Sequence, residues 1–97
     1  MAYRLSQAAD NDLISLYLEG AMRFGLAQAD RYHESLARAF RFLAEHPKAA
    51  RERTEINPPV RCHPHGAHMI IYLIDGDGDA YILRVRHARE DWESDTL

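Results

Sequence analysis

Two amphipathic stripes, separated by a single break at a glycine, run through the first half of this chain. Ala9, Leu13, Leu16, Tyr17, Gly20 and Phe24 recur at helical spacing. After Gly25 a second stripe follows almost at once, through Ala29, Tyr32, Leu36, Phe40 and Leu43. Ser6 is placed to cap the first helix, because its hydroxyl can take an orphan backbone N–H. Gly25 supplies the flexible residue at the helix end. The second stripe stops at Glu45-His46-Pro47, where the proline disfavours helical geometry in the residue before it. Two helices joined so tightly must lie antiparallel, and such a hairpin needs a second layer to bury its apolar side.

That second layer is written in the flanking segments. Residues 2–6 alternate loosely and read as a short first strand, and Lys48 to Pro59 reads as a polar loop crossing the domain. Val60 to His63 is a brief strand bounded by prolines. Ala67 to Ile74 is apolar on both faces, as suits a central strand. Asp75-Gly76-Asp77-Gly78-Asp79 is a hairpin turn, and Ala80 to His87 is the last strand. Ala88 to Leu97 has room for one short helix carrying Trp92. The expected class is therefore α+β, in the order β-α-α-β-β-β with a possible C-terminal helix. The antiparallel hairpin packs on one face of a sheet whose last three strands run antiparallel.

With 97 residues, the chain is expected to form one domain, residues 1–97. No stretch approaches the ~20 apolar residues of a membrane span. The start lacks the apolar core of a signal peptide, and the single cysteine, Cys62, cannot form an internal disulfide. Those absences point to the cytoplasm and to no membrane partner.

The order and the residues together resemble the RelE/ParE toxin superfamily of type II toxin–antitoxin systems across nearly the whole chain. Tyr3-Arg4-Leu5-Ser6, then Ala9 and Asp12-Leu13, is similar to its first strand and helix. Phe24-Gly25, Gln28-Ala29 and Tyr32 look like its helix–helix junction, and Leu43-Ala44-Glu45-His46-Pro47 like the end of its second helix. Ile82-Leu83-Arg84-Val85, then His87, Arg89 and Asp91, resembles the last strand of the ParE branch. The chain departs from the pattern at Arg86, where the family usually has an aliphatic residue. It departs again at Cys62-His63-Pro64-His65, although Arg61 is in place.

The superfamily offers two activities, which need different residues. Ribosome-dependent RNA cleavage, the RelE-like activity, requires a base for the 2′-hydroxyl, an acid for the leaving oxygen and cations on the phosphate. The candidates for it here are Arg61, His68, Arg84 and His87. Strand alternation places Arg84 and Arg86 on one face, with Leu83, Val85 and His87 on the other. A His87–Arg84 pair would then have to act through the sheet. The formal net charge of −3 and the acidic run after Arg89 also repel RNA.

ParE-like members poison DNA gyrase instead, so the resemblance implies a toxin with no catalytic residues that binds gyrase holding cleaved DNA; the further alternative is a non-toxic family member that retains only antitoxin binding. It also implies a cognate antitoxin, often of ribbon-helix-helix type, whose disordered tail folds over the toxin. The groove between helical hairpin and sheet is the expected seat of that tail. Aromatic and arginine anchors suit such binding surfaces. The candidates for contact with target or antitoxin are Arg61, Tyr72, Arg84, Arg86, His87, Arg89 and Trp92.

Each has a plainer reading. Tyr17, Tyr32 and Phe40 are read as core. Tyr72 on a central strand suits packing, Trp92 can staple the tail, and His87 can be a hydrogen-bonded structural histidine. Cys62, His63, His65 and His68 carry metal-binding side chains, but their spacing matches no structural zinc pattern. No metal and no cofactor is expected, and His63 and His65 read as exposed loop residues.

Overall fold

The structure is a computed structural model, and it describes residues 2–90 and 92–93. The strand β1 (Tyr3–Leu5) leads into helices α1 (Gln7–Phe24) and α2 (Leu26–Glu45). Strands β2 (Glu52–Arg53), β3 (Val60–His65), β4 (His68–Ile74) and β5 (Ala80–His87) follow. They form one five-stranded sheet in the order β1-β5-β4-β3-β2. β1 runs parallel to β5, and the remaining pairs are antiparallel. The α+β class, the helical hairpin and its place on one face of the sheet agree with the sequence reading.

Local chemistry explains the helix ends. Ser6 caps α1 by accepting the Ala9 N–H at 2.9 Å. The same hydroxyl donates to the Leu83 carbonyl at 2.7 Å, and the Ser6 N–H donates to the Ile82 carbonyl at 2.9 Å. One residue thus starts the helix and pins it to β5. Gly25, with φ of 92°, is the sole residue between the two helices, a left-handed conformation that side chains resist.

The main core lies between hairpin and sheet. Leu13 of α1 and Leu36, Phe40 and Leu43 of α2 pack on Ile70, Tyr72, Ile82 and Val85. A smaller apolar cluster covers the opposite face, where Ile56, Val60, Ile71 and Trp92 meet Cys62, Met69 and Leu83.

Several expectations are corrected. The segment 48–59 is not purely a loop, because β2 pairs with Val60 and Arg61. β3 continues through Pro64 to His65 rather than ending at His63. Simple alternation also fails in β5. Ile71 opposes Arg84 while Tyr72 opposes Ile82, so Leu83 is an extra residue in a β-bulge. Leu83 therefore joins the far cluster, while Ile82 and Val85, three apart, both face the helices. In the expected C-terminal helix, Ala88 to Glu90 and Trp92-Glu93 form turns and a bend. The rest of that segment lies outside the described residues.

Candidate functional site

A cleft of about 610 Å³ opens between the helical hairpin and the ends of β4 and β5 nearest the β3–β4 turn. Its floor is apolar, with Leu16, Ala29 and Leu36. Its rim carries Glu19, Arg23, Phe24, Gln28 and Arg31, and its sheet side is closed by Ala67, His68 and His87. At Gly20 a built Cβ would meet the Ala29 Cβ at 3.8 Å, ordinary van der Waals contact between α1 and α2 at the floor.

Tyr32 organises the cleft. Its hydroxyl donates to the His65 carbonyl at 3.2 Å and meets His68 Nδ1 at 2.6 Å. The His65 and His68 rings lie 5.6 and 5.5 Å from the Tyr32 ring. The Ser35 hydroxyl donates to the Tyr32 carbonyl at 2.6 Å and lies 2.9 Å from His65 Nε2. Gly66, with φ of 56°, sits directly beneath, and a Cβ there would come within 2.9 Å of the Tyr32 hydroxyl oxygen. The turn is therefore shaped around the tyrosine.

His87 is the cross-strand partner of His68, with the two rings edge to face at 5.5 Å. Its Nδ1 accepts the Arg89 N–H at 3.1 Å. Glu90 fastens this corner. It accepts from Arg86 Nη2 at 2.7 Å and from the His87 N–H at 2.9 Å. Those two donors hold the Glu90 carboxyl below the usual carboxylate range. Burial, followed by the neighbouring His87 and His65, pushes His68 below the usual histidine range. Burial also lowers His65 and raises the Tyr32 phenol.

The sequence candidates separate into three groups. His68 and His87 line the cleft, whereas Arg86 and Arg89 do not: Arg86 stands opposite Met69 and binds Glu90, and the Arg89 N–H donates to His87 Nδ1. Arg61 and Arg84 do not line it. Arg61 donates to the Ala50 carbonyl at 2.6 Å, tying down the chain after α2. Arg84 forms a two-pronged pair with Asp12, Nε–Oδ2 at 2.8 Å and Nη2–Oδ1 at 2.9 Å, instead of standing on an open sheet face. Finally, Tyr72 and Trp92 are buried in the two apolar clusters. Tyr72 is fully enclosed, donating to the Pro47 carbonyl at 2.7 Å and accepting from the Ala50 N–H. Trp92 is 4 % exposed, inside the far cluster, with the Arg53 guanidinium 5.4 Å from its ring.

The four RNase candidates thus do not converge. Nor do the four side chains of the metal reading. Cys62 packs in the far cluster, His63 stacks on Phe42 at 5.7 Å, and His65 and His68 attach to Tyr32. His63 and His65 are strand residues, half-buried rather than free in a loop. Among the described residues, Asp75, Asp77 and Asp79 bring carboxylate oxygens within 4.8 Å of one another. The Asp75 carboxylate is already occupied by Arg4 and by the N–H groups of Asp77 and Asp79, which makes it a brace for the turn.

Helical spacing assigns Tyr17 and Tyr32 to the core, yet both line the cleft with their hydroxyls hydrogen-bonded. The available signal is chemical: a tyrosine at the margin of an apolar stripe keeps a polar tip that needs a partner. Gly20 inside a helical pattern is a second signal, of close packing.

A family model described as the ParE toxin of type II toxin–antitoxin systems, parDE, matches residues 3–92. The chain belongs to the ParE toxin family, the ParE-like branch of the RelE/ParE superfamily. It is 34% identical over 89 residues to Toxin ParE1 of Mycobacterium tuberculosis, covering 92% of this chain and 91% of that protein. It is 29% identical over 85 residues to Toxin ParE1 of Caulobacter vibrioides, covering 88% and 86%. A solved structure titled "Chromosomal ParDE TA system from P. aeruginosa" superposes with a TM-score of 0.74 at 19% identity, covering 90% of this chain and 95% of the other. That likeness is one of fold. Among the described residues, no helix of this ParE-family chain is long and apolar enough to cross a membrane.

Proposed function

We propose that this chain, as a single toxin domain, inhibits DNA gyrase in the cytoplasm by protein–protein binding and traps cleaved DNA, with no catalysis of its own. A cognate antitoxin, of ribbon-helix-helix type with a disordered tail, neutralises it by laying that tail into the cleft. Membership of the ParE family supports the toxin reading. The observation that carries the antitoxin site is the cleft itself. It combines an apolar floor with a rim of Arg23, Arg31 and Glu19, the composition that receives an amphipathic segment. His87 and the exposed Arg89 offer polar contacts at its corner, while Arg61, Arg84 and Arg86 act from behind as positioning residues.

A second reading has one specific support, the His68–His87 pair with rings 5.5 Å apart, an arrangement able to supply a base and an acid for RNA cleavage. Against it stand the engagement of Arg61 and Arg84 elsewhere and a net charge of −3.

The deciding experiment incubates purified protein with gyrase, supercoiled plasmid and ATP, then adds detergent and protease. Linear DNA that disappears when the protein encoded beside this one is included supports gyrase poisoning. Unimpaired supercoiling with no linear product, from a folded sample, overturns it. Ribosome-dependent cleavage lost in both His68→Ala and His87→Ala would favour the second reading.

A further inference from the structure

His68 and His87 are cross-strand partners with rings edge to face at 5.5 Å, and both rings line the cleft. Each is only half-buried while the cleft stands open. Each is also fixed by a hydrogen bond at Nδ1. His68 Nδ1 lies 2.6 Å from the Tyr32 hydroxyl, and His87 Nδ1 accepts the Arg89 N–H at 3.1 Å. Both nitrogens of an imidazolium are donors, so a proton added to His87 sacrifices the bond from Arg89.

The groups around the pair come from every neighbouring element. From α1 comes Glu19, which holds Arg23 at 3.3 Å, and from α2 come Arg31, Tyr32 and His33. His65 of β3 stands beyond the Tyr32 ring, and Glu90, bound to Arg86, lies past the end of β5. Glu19 and Glu90 favour a charged His68, yet burial and the other two histidines outweigh them. Two imidazolium ions at such a distance would repel each other strongly, so the pair resists holding two protons at once.

We infer, on the reading of the cleft as the antitoxin's seat, that filling it is coupled to a proton: the antitoxin binds tightly only while His68 and His87 are both uncharged. An apolar segment closing over Leu16, Ala29 and Leu36 takes from the pair the water that solvates a charged ring. The free cleft therefore holds more protons than the filled one in the histidine range. Affinity is complete above that range and is lost as pH falls through it. Because the pair resists a second proton, one proton is exchanged, and the loss approaches about tenfold per pH unit.

Calorimetric titration of the full chain with the protein encoded beside it, at roughly pH 7.5, 6.5 and 5.5, tests this. Affinity should fall about fivefold or more across the series. At the lowest pH, binding should release a proton, read from the heats in buffers of different ionisation enthalpy. Nuclear magnetic resonance of the wild-type rings should show His68 and His87 titrating at lower pH in the complex than in the free protein. The double variant His68→Gln, His87→Gln should lose most of the slope, whatever its affinity at neutral pH. An affinity constant or rising toward acid overturns the inference, as does a double variant with the wild-type slope or ring titrations unmoved by binding. Phe24→Glu at the cleft rim tells the two failures apart. If it weakens binding while wild-type affinity is flat in pH, the seat stands and only the proton link falls. If it changes nothing and affinity is flat, both fall.

Discussion

Asp12 and Arg84, 72 positions apart in the chain, are joined by two parallel hydrogen bonds of 2.8 and 2.9 Å, and the same carboxylate accepts the Val85 N–H at 3.0 Å. The pair closes the edge of β5 just beyond β1. Its side chains are 16% and 25% exposed, so solvent screens it only in part. Asp12→Ala removes the partner of a part-buried guanidinium and of a backbone donor, and should cost about 2–4 kcal/mol. Arg84→Ala leaves Val85 bonded and should cost less, about 1–2 kcal/mol. Urea denaturation of both variants checks the order. Equal costs would mean that the Val85 bond contributes nothing.

Gly66 and Tyr32 form a second dependent pair. Gly66→Ala adds a methyl 2.9 Å from the phenol oxygen at a positive φ, and should destabilise by about 1–3 kcal/mol. Combining Gly66→Ala with Tyr32→Phe removes the atom that clashes most closely but leaves the strained φ. The double variant should recover part of the loss, as thermal melts would show.

Acid should weaken the fold in two steps. His65 and His68 are held below the ordinary 6.5, so the unfolded chain takes up protons first. Their contribution is complete above pH 6.5 and is lost as pH falls from there through their folded-state values. Glu90, Glu55 and Asp75 are also depressed, so their contributions are lost lower, below the ordinary carboxyl range. Denaturation midpoints between pH 8 and 5 should fall, and His68→Gln should flatten the upper part of the curve. A midpoint constant over that range would contradict the assignment.

Cleft and core should separate by mutation. Phe24 is 62% exposed at the cleft rim, so Phe24→Glu should leave the melting temperature nearly unchanged. It should nevertheless lower affinity for the antitoxin about tenfold or more, as calorimetry with that protein would show. Unaltered affinity would place the antitoxin elsewhere.

Trp92, the only tryptophan, reports on the far face. Its emission should be blue-shifted in the native state and move to the red on unfolding. Trp92→Ala should cost about 3 kcal/mol by emptying the cluster around Ile56, Val60 and Ile71. Native emission already at the position of a solvated indole would show that the tail does not pack there.

The cleft is only half legible in the sequence. His68 and His87 are candidates because of their residue type, and the β4–β5 register brings them side by side at one end of those strands. Tyr32 reads as core because helical spacing marks the side of a helix and not the depth at which its hydroxyl ends. Arg84 is expected outside because alternation assumes an unbroken ladder. The extra residue at Leu83 changes the face of everything before it relative to everything after it.

Elements that depend on neighbouring residues were determined by the sequence alone. The two helices follow from apolar spacing, their hairpin from the Gly25 break, the Ser6 cap from its hydroxyl, and the last strands from their apolar runs and Asp-Gly turn. The tertiary structure decided the rest. It pairs β1 with β5, forms β2, places the bulge, engages Arg61 and Arg84, and buries Tyr72 and Trp92. Each of these depends on which polar group a distant residue can satisfy, and periodicity within a segment carries no information about a partner some 70 residues away.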